Sequence, residues 1–381
     1  MQVDIESKSN VVRSGGLRPF VLTDIGPVAN LIWRVLHGHQ EPAPPSLCTH
    51  LHDLFFNNPW LDDGIVSRVF ENSDGKIIGF FGALPRIMSL QGRQIRLAFG
   101  SNFVVDPGSR ASMTAIQLVR SFMKGTQDIS ISDSVNEMSR PLLRSLGFTV
   151  VPIYSLQWAR PLRPTQYASQ MLTRMKRSLK PFGSVMGLTC RIIDALAETA
   201  HLSPYRPNVP ATDDEELDTA TLLHCVSTIP GKHGLVPQYD QSSIDWIFNF
   251  ISSRNALGVI RKRLVRNADG KIAGWYVYAV PGKTGIGEVL QIGSQTASAG
   301  EVLDHLFYDA WKMGLLALHG RMEPNFMQEL TNRSCFSFRH GSWTLVHSSQ
   351  PELTSLIQSG TAFFSRLDGE GCFRHGGNVI R

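Results

Sequence analysis

The chain has 381 residues, 42% of them hydrophobic and 18% charged, which is enough apolar material for two ordinary cores and too little charge for a disordered protein. Its five cysteines, Cys48, Cys190, Cys225, Cys335 and Cys372, are scattered and show no CxxC pair or His-rich spacing, which argues against a disulfide framework or a structural zinc site. A net charge of +5 favours anionic partners without choosing among a nucleotide-bearing cofactor, an acidic lipid surface and nucleic acid.

In chain order, residues 1–16 mix both charge signs and offer no apolar run of signal-peptide type, so they read as a flexible tail on a cytoplasmic protein. Leu17 to Phe20 reads as a strand, and Thr23 or Asp24 as the cap of an apolar helix through Ile32 and Val35. His50 and His52 form an isolated His-x-His with no third ligand nearby, and no metal is expected. Arg68 to Phe81 then reads as a β-hairpin around Asp74-Gly75, and the same pattern returns at Arg263 to Tyr276 around Asp269-Gly270. Arg, Asn, Asp, Gly, Lys, Ile and Gly coincide at a constant offset, with two aromatics after them in both copies.

The segments beyond the two hairpins also match. Leu97 to Val105 leads through Asp106-Pro107-Gly108-Ser109 into a helix over about Met113 to Met123. Gly287 to Ile292 leads through Gly293-Ser294 into one over about Gly300 to Met313. Short strands (Ile129 to Ser132; Leu315 to Leu318), a second helical stretch and an aromatic strand near Phe148 or Phe336 complete both copies. The repeat predicts a mixed α/β sheet in each half, with a parallel, right-handed βαβ crossover at its centre. Between the halves, Arg160, Arg163, Arg174, Lys176, Arg177, Lys180 and Arg191 precede the first acidic residue, Asp194. This basic connector reads either as a solvated linker helix or as a patch for an anionic membrane, since Met171, Leu172, Met175 and Leu179 lie among the charges.

The first half resembles the GNAT superfamily of acyl-CoA-dependent N-acetyltransferases over roughly Leu17 to Pro161. The opening strand and helix match, Phe103 to Ala115 occupies the place of the R/Q-x-x-G-x-G/A signature, and Asn136 with Leu146-Gly147-Phe148 is similar to the closing segment. The resemblance implies a tandem GNAT fold of two similar domains, 17–162 and 213–381, joined by a basic helical linker, 163–212. It implies acetyl-CoA or another acyl-CoA as co-substrate, held by Phe103, Val104, Val105, Arg110, Ala111, Ser112, Met113, Thr114, Ala115 and Asn136. The chemical basis is a helix start that presents unpaired N–H groups and partial positive charge to a pyrophosphate. Arg110 is in place, but Met113 stands where the first glycine belongs, and Leu142-Leu143 where a Leu-Tyr pair supplies the proton donor. In the second half Gln295 to Gly300 does not match the signature spacing, and the resemblance to tandem GNAT proteins implies that this half mainly shapes the substrate cleft.

Candidate substitutes for the missing acid and for acceptor binding are Ser101 and Asn102 on the cofactor-side strand, Asp133 after the strand Ile129 to Ser132, and Tyr154 on the strand after Gly147-Phe148. Each also has a plainer role, in hydrogen bonding, helix capping or packing. The reaction implied is acyl transfer to an amine or hydroxyl of a small-molecule, sugar or cell-envelope precursor. The alternatives are a non-catalytic ligand-binding or scaffold protein and a Fem-type aminoacyl transferase. No nucleic-acid partner is expected, because no RNA-binding motif accompanies the charge. The chain has no G-x-G-x-x-G after a strand and no P-loop, which disfavours a dehydrogenase and a P-loop enzyme.

Overall fold

The computed structural model describes residues 15–108, 111–175, 183–199, 205–228, 234–253, 257–282, 285–339 and 341–375. It forms two compact units, one from residues 1–85 and 100–126, the other from residues 86–99 and 127–381. The chain changes unit after residues 85, 99 and 126, the first two times inside long strands, so the units and the two halves of the sequence divide the protein at different places.

The first unit takes up β1 (Gly16–Pro19), α1 (Ile25–His37), α2 (Pro45–Phe55), β2 (Arg68–Glu71), the first part of β3 (Ile77–Leu90), the last part of β4 (Arg93–Val105) and α3 (Ala111–Met123), with strand order β1-β2-β3-β4. Phe20, Phe55 and Phe80 meet edge to face at 4.9–5.9 Å in its core. Asp24 stands at the start of α1 but caps no helical N–H with its carboxylate. Its carboxylate instead accepts from both terminal nitrogens of Arg18, at 2.6 and 2.9 Å, and from the Val21 N–H at 3.0 Å, charge-assisted bonds that hold it ahead of the helix.

The second unit contains β5 (Ile129–Val135), α4 (Arg140–Ser145), β6 (Thr149–Val150), α5 (Pro152–Ser155), β7 (Gln157–Pro161), α6 (Pro164–Met175), α7 (Gly183–Thr199), β8 (Asp214–Glu216), α8 (Thr219–Thr228), β9 (Leu235–Pro237) and α9 (Gln241–Ser252). It continues with β10 (Val259–Arg266), β11 (Ile272–Val280), β12 (Ile286–Ser294), α10 (Ala299–Lys312), β13 (Ala317–Arg321), α11 (Met327–Asn332), β14 (Phe336–Phe338), β15 (Trp343–His347) and α12 (Pro351–Gln358). One sheet runs β14-β7-β13-β12-β11-β10-β8, with Tyr276, Tyr278, Val302, Phe307 and Leu318 in the core under it. The other continues β4 through β5 and β15 to β6.

The duplicated hairpins fold alike down to individual hydrogen bonds. Asn72 Oδ1 accepts from the N–H groups of Asp74 and Lys76 at 3.1 and 2.8 Å. Asn267 Oδ1 accepts from Asp269 and Lys271 at 3.1 and 2.9 Å. Gly75 and Gly270 both sit at positive φ, 77° and 76°, where a side chain would be strained. Each hairpin feeds a parallel crossover, β4-α3-β5 and β12-α10-β13, as the repeat predicts.

Past the crossovers the two halves exchange strands. β7 pairs antiparallel with β13 and β14, strands of the second half, with Gly320 opposite Trp158 and Phe336 opposite Ala159. β15 returns the exchange by pairing with β5 and β6, Leu345 opposite both Ser132 and Val150. The expected aromatic strand after Gly147 is therefore only two residues long. Pro152, suited to a first helical turn, starts α5 immediately after it, so Tyr154 lies on a helix rather than a strand. Of the connector, Arg160 is buried on β7 and Arg163 donates to the carbonyls of Leu315 and Trp311 at 2.6 and 3.2 Å. Lys176, Arg177 and Lys180 lie outside the described residues.

Candidate functional site

In the first unit, the end of β4 and the start of α3 form the strand–turn–helix that the signature region predicts. Asn102 kinks the strand at φ 51°, a conformation a non-glycine residue adopts where the surroundings impose it. Its amide donates to Ser101 Oγ at 2.9 Å, and Ser101 is buried. Phe103 packs on Phe81 at 4.8 Å, and Phe81 on Phe122 of α3 at 4.5 Å. Val104 is buried and Val105 half-buried.

The turn is anchored on both sides. Asp106 N–H donates to Ile78 O at 2.8 Å, while its carboxylate accepts from Gly108 N–H at 3.2 Å and from Arg34 at 2.6 Å. Ser109 and Arg110 lie outside the described residues, and Ala111 and Ser112 are described only as the first turn of α3. Met113 is 58% exposed, whereas Thr114 and Ala115 are buried. The long side chain at the non-glycine position thus turns away from the core. A Cβ at Gly79 would lie 2.8 Å from both Thr114 and Leu118, so glycine lets α3 settle closely on β3. No acidic residue occupies the first turn of α3, which leaves its positive end uncompensated from within the helix.

The remaining candidates belong to the second unit. Asp133 lies within β5, which continues past the expected end at Ser132 to Val135. Its carboxylate accepts from Arg321 Nη2 at 2.6 Å and from Glu370 N–H at 3.2 Å, and its side chain is 1% exposed. A Cβ at Gly369 would come within 1.9 Å of that carboxylate, so only glycine fits there. Tyr154 is buried, its hydroxyl donates to Ala362 O at 2.5 Å, and burial pushes its phenol upward. Asn136 is exposed and accepts from Ser139 N–H at 2.8 Å, ahead of α4. Leu143 of α4 is buried. Among the described residues no group of three or more His, Cys, Asp and Glu is placed to hold a metal, and no helix is long and apolar enough to cross a membrane.

The second unit also holds a buried polar network that the sequence alone does not announce. Glu288 and Gln291 of β12 are buried in an otherwise apolar run. Arg366 pairs with Glu288 at 2.5 Å. Gln291 accepts from Trp275 Nε1 at 3.0 Å and donates to Ser365 Oγ at 3.1 Å. Tyr239 donates to Asp368, which also accepts from Ser365 Oγ at 2.5 Å. The one legible signal is an acid and an amide inside an apolar strand, since buried polar groups need partners.

Burial pushes the Glu288 carboxyl up to about 7, against the pull of Arg366. With its folded value above its unfolded one, the stability linked to protonated Glu288 is complete at low pH and is lost as pH rises through about 7. Glu288→Gln removes that dependence. The difference in Tm between wild type and this variant is therefore expected to move against wild type from about pH 5 to about pH 8. Thermal melts across that range would refute the assignment by showing a pH-independent difference.

No family model matches the chain, and none of the curated proteins does. Solved structures do. A probable N-acyltransferase from Enterococcus faecalis aligns over 88% of this chain and 73% of its own, at 11% identity and a TM-score of 0.56. A GCN5-related N-acetyltransferase from Kribbella flavida aligns over 88% and 72%, at 14% identity and a TM-score of 0.54. Saccharomyces cerevisiae N-myristoyltransferase, solved with bound myristoyl-CoA and inhibitors, aligns over 88% and 80%, at 11% identity and 0.51. With duplicated hairpins, parallel crossovers and these alignments, the chain has a tandem GNAT-like fold, shared with GCN5-related N-acetyltransferases and N-myristoyltransferases.

Proposed function

We propose that the protein transfers an acyl group from a coenzyme A thioester, acetyl-CoA foremost, to an amine or hydroxyl of a small-molecule, sugar or cell-envelope precursor. The observation that carries this reading is the start of α3, where Met113 faces outward and no acid occupies the first turn. Backbone N–H groups of Ala111 to Ala115, with Arg110, hold the pyrophosphate there. A main-chain N–H between Phe103 and Val105 polarises the thioester carbonyl, and Ser101 and Asn102 serve acceptor binding from the same strand. Asp133 and Tyr154 act structurally in this reading, through the Arg321 ion pair and the bond to Ala362 O. On this reading the protein works in the cytoplasm, where acyl-CoA thioesters are available.

A second reading, ligand binding without catalysis, is favoured by Leu143, a buried leucine where a proton-donating tyrosine belongs. Calorimetry with acetyl-CoA, longer acyl-CoAs and coenzyme A, then turnover assays on candidate amines, separates the two. Arg110→Glu is expected to weaken acyl-CoA binding roughly tenfold or more, since a charge-assisted contact contributes about 1.5–3 kcal/mol. Met113→Gly is expected to leave binding unchanged or tighten it. Wild-type protein that binds no acyl-CoA, unrescued by Met113→Gly, would overturn the proposal.

A further inference from the structure

The connector that stands out by its charge folds into α6 and α7, and α7 carries its apolar stripe on the outside. At about 100° per residue, Leu188, Ile192 and Leu196 line one face with Ile193 beside them, and they are 62, 54, 63 and 47% exposed. The opposite face meets α6. There the Cys190 carbonyl accepts from Thr165 Oγ1 at 2.9 Å, and Asp194, which is buried, accepts from the N–H groups of Thr165 and Gln166 at 3.1 Å each. This remote carboxylate caps α6. The helix pair is thus joined by polar contacts there, while Leu188, Ile192, Ile193 and Leu196 of α7, and Leu172 of α6, are exposed.

Charge identifies what such a face meets. From Arg163 to Arg191 the sequence holds six basic residues and no acidic one, and Asp194, the first acid, is turned inward as the α6 cap. Arg174 and Arg191 are exposed. A large aliphatic stripe bordered by cations suits a surface that is apolar below and anionic above, whereas nucleic acid would leave the aliphatic stripe unused. We propose that α6 and α7 seat the protein peripherally on an anionic membrane, with Ile192 and Leu196 entering the headgroup boundary and Arg174 and Arg191 meeting acidic lipid headgroups. The proposal does not depend on acyl-CoA binding and is read without it.

The test is co-sedimentation of the full-length protein with vesicles of phosphatidylcholine alone and of phosphatidylcholine with phosphatidylserine. Wild type is expected to partition onto the anionic vesicles only, and to be released as salt rises from about 50 to about 500 mM. Ile192→Asp with Leu196→Asp, and separately Arg174→Glu with Arg191→Glu, should each lower partitioning at least tenfold. These exposed sites leave the fold intact, which circular dichroism melts check. The proposal is overturned by no wild-type partitioning onto anionic vesicles, by equal partitioning onto neutral ones, or by binding that neither variant weakens. Light scattering that shows a dimer broken by Ile192→Asp with Leu196→Asp would assign the stripe to a second copy of the chain instead, and would also overturn it.

Discussion

Replacing Asp133 with alanine is expected to cost about 3–5 kcal/mol of stability, because it leaves the Arg321 guanidinium buried without its counter-ion. The two side chains are 1% and 10% exposed and 2.6 Å apart, so water cannot take the place of the lost partner. Denaturant titration reads the loss as a lower midpoint. Asp133→Asn should lose less, since the amide oxygen still accepts from Arg321 and from Glu370 N–H. Adding Arg321→Met to Asp133→Ala should recover part of the loss by removing the orphaned charge as well. The same variants distinguish this role from general base catalysis. A base predicts that Asp133→Asn loses about 100-fold or more in turnover at nearly unchanged stability; a structural ion pair predicts the reverse.

Trp158→Ala is expected to destabilise by a similar amount, about 3–5 kcal/mol. Trp158 is 1% exposed, packs edge to face on Phe307 at 6.0 Å and donates from its indole N–H to Arg321 O at 3.0 Å. A Cβ on Gly320 would lie 2.6 Å from the indole, so Gly320→Ala should also destabilise, by crowding rather than by a void. Val259→Ala, on an exposed position of the same sheet, serves as a control and should stay within about 0.5 kcal/mol. If Trp158→Ala behaved like this control, β7 would not be an integral strand of the sheet.

The parts of the fold legible in the sequence are those written locally. Asn72 and Asn267, each trailed closely by Asp-Gly, encode turns that close with their own side chains, and the βαβ crossovers arise from apolar periodicity. Strand exchange is not legible, because Gln157 to Pro161 reads as a strand whichever sheet receives it, and the choice rests on partners far along the chain. Tyr154 reads as strand because it lies among apolar residues, yet Pro152 sets a helical turn there. The candidate coenzyme A region is visible as strand, turn and helix. Glu288 is marked locally only as an acid inside an apolar strand, and its partner cannot be read there, because Arg366 comes from a distant segment near Asp368 and Cys372.

The strand exchange also sets the order in which the protein can be completed on the ribosome. β5 is made early, but β15, which pairs with it from Ser130 to Val135, is made only after α11 and β14. At about 5–20 residues per second, the edge of β5 waits roughly 10–40 s for its partner, with its backbone donors and acceptors open to other nascent chains. The polar residues of β5, Ser130, Ser132, Asp133 and Ser134, make that waiting edge less adhesive than an aliphatic strand would be. A gene cut at the connector would yield two fragments, each missing a strand that the other carries, and each would be expected to need the other present in order to fold.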